Sequence, residues 1–206
     1  MMKLYSRNGR RKADRSMKLL EERIRRDGQI LEGNILKVGS FLNHQMDVEL
    51  FREMGKELVR LYAGCGVNKI LTIEASGIGI ACIAALEFGC NAVFAKKYKT
   101  SNITDDVYTA RVMSYTHGTE YNIIVDKHYL GKDDRVLLID DFLANGEALA
   151  GLVHLVQQAG GTVVGAGIAI EKAFQPGGDK IRGMGIRVES LARIKSMSPE
   201  TGIEYC

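Results

Sequence analysis

A buried strand that ends on two carboxylates and leads at once into a helix is the most constraining stretch of this 206-residue chain. Residues 136–139 form a short, unbroken apolar run, which is the pattern of a strand buried on both faces of a parallel sheet. Asp140 and Asp141 follow it, and after a short loop a helix is predicted over 147–159. This order predicts an α/β fold with both carboxylates at the carboxyl edge of the sheet, where open α/β sheets bind ligands.

The loop and the acid pair together indicate a ligand that carries a phosphate and hydroxyl groups. The first N–H groups of a helix have no partner within the helix, so the start of the predicted helix is a potential phosphate site. A carboxylate accepts two hydrogen bonds at once, as the diol of a ribose offers them. An acid pair alone usually marks only the solvated end of a strand. Here a helix begins shortly after the pair, which favours a ligand-binding role. The chain contains neither a P-loop motif nor a Gly-x-Gly-x-x-Gly turn between strand and helix.

Two further loops are predicted to leave the same edge of the sheet. A strand over 69–74 turns through Ala75, Ser76 and Gly77 into a helix over 80–88, and glycine there allows the backbone to approach an anion closely. The segment 96–102 follows the next predicted strand and contains three lysines. It is either an exposed charge run or a lid that closes over a charged ligand.

The rest of the chain alternates between helices and strands, which predicts a mostly parallel central sheet flanked by helices. The pattern at 111–125 predicts two antiparallel strands around a turn. The other predicted elements are a helix over 17–28 capped by Ser16, an extended segment over 30–38, a helix after the cap Asp47, strands over 90–95 and 162–170, a short helix over 179–184 and a last strand over 187–194.

Composition excludes several classes of protein. The net charge of +3 is too small to indicate a nucleic-acid partner. The four cysteines form no Cys-x-x-Cys, so neither a zinc site nor a disulfide framework is expected, and free thiols in the cytoplasm are the default. No apolar run is long enough to cross a bilayer, and no signal peptide is recognised. The basic residues 1–16 predict a disordered extension before a single domain over 17–206.

The stretch Leu-Leu-Ile-Asp-Asp-Phe-Leu-Ala-Asn-Gly-Glu-Ala over 137–148 resembles the 5-phosphoribosyl-1-pyrophosphate (PRPP) motif of type I phosphoribosyltransferases. It departs from the commonest form of that motif, in which Thr or Ser precedes Gly-Gly-Thr/Ser. The Ala-Asn-Gly-Glu-Ala version is similar to that of the bacterial xanthine phosphoribosyltransferases, and the similarity covers nearly all of residues 17–196. It implies the type I fold, with a small base-binding hood made by the N- and C-terminal segments.

The resemblance implies an enzyme that transfers the phosphoribosyl group of PRPP to N9 of xanthine. Asp140 and Asp141 are then the catalytic pair, which holds the ribose hydroxyls and stabilises positive charge on the sugar. The implied PRPP-binding residues are Ala144, Asn145, Gly146, Glu147 and Ala148 for the 5′-phosphate, Ala75, Ser76 and Gly77 for pyrophosphate, and Lys97 and Lys99 on the lid. Mg²⁺ is expected on the ligand's oxygens with no direct protein ligand, and a homodimer is expected.

The base site implied by the resemblance consists of Leu36, Asn43 and Lys172. The chemistry agrees, because a 6-oxopurine needs donors for its carbonyls, and Lys172 donates while Asn43 both donates and accepts. Phe142 or Phe174 would stack on the ring.

Two alternatives remain open from the sequence. A hypoxanthine or guanine phosphoribosyltransferase would share the mechanism, because these bases differ from xanthine only at the 2-position and one hydrogen bond can decide between them. A regulator that senses PRPP and binds nucleic acid would keep the fold without turnover. The acid pair, both phosphate loops and the lysine-rich loop favour the enzyme.

Overall fold

The computed structural model describes residues 17–98, 106–114 and 119–206. The predicted extension over 1–16, with the Ser16 cap, lies outside them. The helices are α1 (Lys18–Asp27), α2 (Val48–Leu61), α3 (Gly77–Phe88), α4 (Glu147–Gln158) and α5 (Gly177–Gly183). The strands are β1 (Gln29–Leu31), β2 (Ile35–Lys37), β3 (Lys69–Ile73), β4 (Asn91–Tyr98), β5 (Val107–Ser114), β6 (Thr119–Asp126), β7 (Arg135–Leu143), β8 (Thr162–Lys172), β9 (Val188–Ser198) and β10 (Gly202–Tyr205). A π-helical turn (Gly39–Asn43) and a 3-10 turn (Lys127–Tyr129) complete the described elements.

Eight strands form one sheet in the order β10-β9-β8-β7-β3-β4-β6-β5. The pairs from β9 to β4 are parallel, and the outer pairs are antiparallel. The chain leaves β3 toward β4 and leaves β7 toward β8, in opposite directions across the sheet. Because crossovers between parallel strands are right-handed, α3 and α4 lie on opposite faces, and the gap between the carboxyl ends of β3 and β7 is the switch point of the fold.

The core is divided by the sheet into two layers, and β7 contributes to both. Leu137 and Ile139 pack with residues of α1, α2 and α3, whereas Val136 and Leu138 pack with residues of α4. All four side chains are fully buried. The apolar run that predicted a strand buried on both faces is therefore confirmed.

The mostly parallel α/β sheet is confirmed, and several boundaries differ from the prediction. Asp47 caps α2 as expected, since its Oδ1 accepts a hydrogen bond from Leu50 N at 3.1 Å. The expectation that 96–102 is entirely loop is wrong for its first residues. Lys96 and Lys97 belong to β4, because they pair with Ile124 and Ile123 of β6. That partner comes from a hairpin remote in sequence, and side-chain polarity does not reveal it.

The N-terminal part of the predicted hood is the β1–β2 hairpin with the π-helical turn that follows it. The chain before it is tied to β9 and β10, since Met17 N donates to Leu191 O at 2.6 Å and Tyr205 Oη donates to Glu21 O at 3.2 Å. The C-terminal residues extend the main sheet as β9 and β10, of which β10 was not predicted.

Glycines in β8 allow α2 to pack closely on the sheet. Tyr62, at the end of α2, is 1% exposed, and its hydroxyl donates to Ala166 O at 2.8 Å. A Cβ added to Gly165 would lie 2.6 Å from the Tyr62 ring and 2.9 Å from Arg187 O. Neither a buried aromatic ring nor a backbone carbonyl moves away easily, so only glycine fits there.

We expect Gly165→Ala to lower the free energy of unfolding by about 1–3 kcal/mol, because the added methyl overpacks the contact between α2 and β8. Urea denaturation measures this directly. Gly183→Ala is the matched control, because no atom of the described residues lies within 4 Å of a Cβ added there. Equal stability of the two variants would contradict this account of the packing.

Candidate active site

Asp140 and Asp141 lie near the carboxyl end of β7, and each is only 8% exposed. Asp141 N donates to Asp140 Oδ1 at 3.0 Å. Burial, and then the neighbouring charge of Asp141, raise the pKa of Asp140 well above the usual carboxyl range. Two carboxyl groups are thus held together at the switch point, in a place where an incoming cation or hydroxyl donor would favour the ionised form of Asp140.

The loop between β7 and α4 forms one side of a cavity of about 210 Å³ that includes Asp140. Gly146 precedes the helix with φ of 81°, a left-handed conformation that residues with a side chain rarely adopt. All five predicted phosphate-loop residues line this cavity: Ala144, Asn145, Gly146, Glu147 and Ala148. The free N–H groups at the start of a twelve-residue helix therefore open onto the space beside the acid pair.

The second predicted phosphate loop follows β3, the strand next to β7. Gly77 begins α3, and a Cβ added there would lie 2.2 Å from Thr72 Oγ1 and 3.4 Å from Asp140 Oδ1. The two loops therefore meet at the acid pair, and the glycine permits the approach. Ala75 is exposed and Ser76 half-buried, and the Glu74–Ala75 peptide is cis.

Lys97 of β4 lies beside Tyr121, one of the residues that line the same cavity. Its ammonium lies 5.5 Å from the centre of the Tyr121 ring, and its charge lowers the raised pKa of Asp140. Its backbone N–H donates to a Glu74 carboxylate oxygen. Lys97 is thus placed beside both the acid pair and the loop after β3. The other predicted lid residue, Lys99, lies outside the described residues.

The predicted base-binding residues converge on β7 from two sides. Asn43 is exposed at the end of the π-helical turn, and its Nδ2 donates to Asp141 Oδ2 at 3.4 Å. The Lys172 ammonium lies 5.5 Å from the centre of the Phe142 ring and donates to Asn34 O at 2.8 Å. Burial lowers the pKa of Lys172.

The two other residues predicted for the base site, Leu36 and Phe174, differ in their exposure to solvent. Leu36 lies in β2, where it is 6% exposed and belongs to the apolar core, so it offers little surface. Phe174 is 38% exposed.

Sequence reasoning missed two neighbours of the site. Tyr121 of β6 lines the cavity beside the β7–α4 loop, and burial together with the charge of Asp140 raises its pKa. Asn34 lies at the turn of the β1–β2 hairpin with φ of 61° and supplies the carbonyl that Lys172 contacts. The sequence carried a local turn signal here, because Gly33 followed by Asn34 is typical of tight turns. Tyr121 had none, because only the hairpin register brings it to β4 and β7.

The arrangement has no protein metal cage: within the described ranges, no three His, Cys, Asp or Glu side chains form a group that could hold an ion. No helix in those ranges is long and apolar enough to cross a membrane. Among the described residues, this edge therefore brings together carboxylates, two helix N-termini and the side chains of Lys97 and Lys172.

Comparison with known proteins identifies the family behind this geometry. The profile described as the phosphoribosyl transferase domain matches residues 38–181, which include both loops and the acid pair. The chain belongs to the phosphoribosyltransferase family. Its predicted membership is thereby confirmed.

Similar phosphoribosyltransferases include curated relatives and solved structures. The xanthine phosphoribosyltransferase of Lachnoclostridium phytofermentans is 56% identical over 186 residues, covering 90% of this chain and 96% of the relative. That of Bifidobacterium longum subsp. infantis is 56% identical over 187 residues, covering 90% and 97%. The crystal structure of adenine phosphoribosyltransferase from Rhodothermus marinus has a TM-score of 0.70 at 20% identity, covering 86% of this chain and 99% of that one. The structural likeness supports the fold.

We expect Asp140→Asn to lower turnover by at least about tenfold and yet to stabilise the protein without ligand at neutral pH. The folded state binds a proton at Asp140 more tightly than the unfolded state, so ionisation of the wild type costs stability as pH rises above the ordinary carboxyl range. Asn carries no such charge. The stability of the variant relative to wild type should therefore increase as pH rises above about 4, the ordinary carboxyl pKa.

Urea denaturation across this pH range, beside a turnover assay, checks both statements. The difference between variant and wild type isolates Asp140 from the other titrating groups. A stability difference that does not change with pH would contradict the burial of an ionisable group at Asp140. Turnover within about twofold of wild type would contradict a catalytic role for this residue.

Proposed function

We propose that this chain is a purine salvage enzyme that transfers the 5-phosphoribosyl group of PRPP to N9 of xanthine. The products are xanthosine 5′-monophosphate and pyrophosphate. The observation that carries the proposal is the meeting, at one sheet edge, of a buried acid pair with two helix-start loops and with Lys172 and Asn43. The 56% identity to proteins named xanthine phosphoribosyltransferase supports the choice of base.

The reaction asks this chain mainly for positioning and electrostatics. As the bond from C1 to pyrophosphate breaks, positive charge develops on the ribose, as in glycoside chemistry. The carboxylates of Asp140 and Asp141 accept hydrogen bonds from the ribose hydroxyls and stabilise that positive charge. N9 of the base forms the new bond from the opposite face, so C1 inverts and no enzyme nucleophile is needed.

The two loops hold the two phosphorylated ends of PRPP apart. Residues 144–148 take the 5′-phosphate through N–H groups at the start of α4, and Ala75 to Gly77 take pyrophosphate at the start of α3. Lys97 adds a positive charge between them. Closure of the segment that contains Lys99 would exclude water, since hydrolysis of PRPP is the competing reaction.

Mg²⁺ fits this site as a partner of the ligand. The carboxylates of Glu74, Asp140 and Asp141 lie near the loops, and carboxylate oxygens and water suit a hard cation. They do not form a cage, so the ion would be held mainly by PRPP and pyrophosphate oxygens. When bound, it neutralises the charge of the leaving pyrophosphate.

The base site favours a purine with carbonyls at both the 2- and 6-positions. The Lys172 ammonium donates hydrogen bonds and accepts none, and the Asn43 amide, which also donates to Asp141, can both donate and accept. Xanthine offers an acceptor at the 2-position, where guanine offers an amino donor and hypoxanthine offers neither. A Lys172 donor at the 2-position would therefore favour xanthine by one hydrogen bond.

We also propose that the enzyme is a cytoplasmic homodimer, with α3 at the contact between copies. Almost every residue of α3 is apolar, yet Cys82 is exposed and Leu86 is 73% exposed. The neighbouring Phe94 of β4 is 40% exposed. A helix that is apolar on all sides is normally covered on all sides, and a second copy would cover this face.

We expect pyrophosphate release with PRPP and Mg²⁺ to be fastest with xanthine when xanthine, guanine, hypoxanthine, adenine and uracil are offered separately. Fastest release with guanine or hypoxanthine would be consistent with the same mechanism but would show that xanthine is not the preferred base. Binding of PRPP without release for any base would point to the regulator instead. Lys172→Ala is the internal check, because it should raise the KM for xanthine more than the KM for PRPP.

A further inference from the structure

Glu171 is a buried anion between the phosphate loop and the base site. It is 1% exposed and lies near the carboxyl end of β8, immediately before Lys172. Strand register places it opposite Leu143, the residue before the phosphate loop, and opposite Arg193 of β9. None of the steps derived above uses this carboxylate.

Four hydrogen bonds hold Glu171 in one position. Arg182 of α5 donates to both carboxylate oxygens at 2.8 Å, the geometry of a bidentate pair. Ser190 Oγ donates at 2.5 Å and Arg193 Nε at 3.1 Å. Burial raises the pKa of Glu171, but these donors outweigh it and hold the pKa at about 2. The group is therefore charged and fully paired at any working pH.

The same helix that binds Glu171 also holds the phosphate loop. Gly178 of α5 packs against the carboxylate, since a Cβ there would lie 2.3 Å from Glu171 Oε1. One residue earlier, Gly177 N donates to Ala144 O at 2.8 Å, and a Cβ on Gly177 would lie 2.7 Å from Gly146 N. Along α5, the Lys180 ammonium also donates to the Glu147 carboxylate.

We propose that Glu171 is a positioning residue that sets the separation between the phosphate loop and Lys172. Through Arg182 and α5 it fixes residues 144–147, and through the strand it fixes the lysine that follows it. The inference rests on the proposed function, because it takes the loop as the site of a sugar phosphate. The pyrophosphate loop lies outside this linkage, since it begins at β3, two strands away, and contacts Thr72 and Asp140.

The test is the binding of two partial ligands to the full chain, measured by calorimetry. We expect Glu171→Gln to weaken ribose 5-phosphate by about tenfold and to leave pyrophosphate with Mg²⁺ within about twofold, because only the first loop loses its support. Arg182→Lys keeps the charge but loses the bidentate geometry. It should likewise weaken the binding of ribose 5-phosphate. It also answers the question if Glu171→Gln does not fold.

Glu204→Gln is the matched control, because Glu204 is paired with Lys195 and Ser196 on exposed β-strands away from the site. It should change neither ligand. Loss of both ligands in proportion, or of neither, in Glu171→Gln or Arg182→Lys would overturn the positioning role. A wild-type protein that binds pyrophosphate but no ribose 5-phosphate would overturn the proposed phosphate loop itself, and this inference with it.

Discussion

Two carboxylates held side by side, away from water, are the constraint around which this site is built. Asp140 and Asp141 are buried at the point where the chain leaves neighbouring strands in opposite directions. Burial of like charges is unfavourable without a partner. The surrounding features supply partial compensation: a backbone N–H on Asp140, the Asn43 amide on Asp141 and the Lys97 charge nearby. Under the proposed function, a sugar that brings hydroxyl donors and develops positive charge would complete this compensation.

The parts of this account that follow from sequence are those coded locally. The apolar run of β7, the acid pair after it and the helix start at residue 147 are contiguous in the chain. The strand, the carboxylates at its end and the helix that follows were therefore predictable together. The cap Asp47 was predictable for the same reason, because its partner Leu50 lies three residues away. The base-site residues came instead from family resemblance. The structure brings Asn43 and Lys172 to β7, while Leu36 remains almost wholly in the core.

What sequence could not provide depends on contacts between distant segments. Lys97 follows a strand-like run, yet its place in β4 is set by pairing with Ile123 of β6. Tyr121 reaches the cavity by the same pairing. Glu171 was visible in the chain, but a glutamate before a lysine carries no signal that arginines from α5 and β9 will enclose it. Such partners are fixed by the register and packing of the sheet, which are properties of the whole fold.

The most direct test of the central claim is a cycle between the acid pair and the sugar hydroxyls. Affinities of ribose 5-phosphate and 2-deoxyribose 5-phosphate would be measured for the wild type, Asp140→Asn and Asp141→Asn. If the carboxylates hold the hydroxyls, removing the 2-hydroxyl should weaken binding to the wild type by at least about fivefold, and much less in at least one variant. If the loss is the same in all three proteins, the acid pair does not bind the ribose, and the account of this site is wrong.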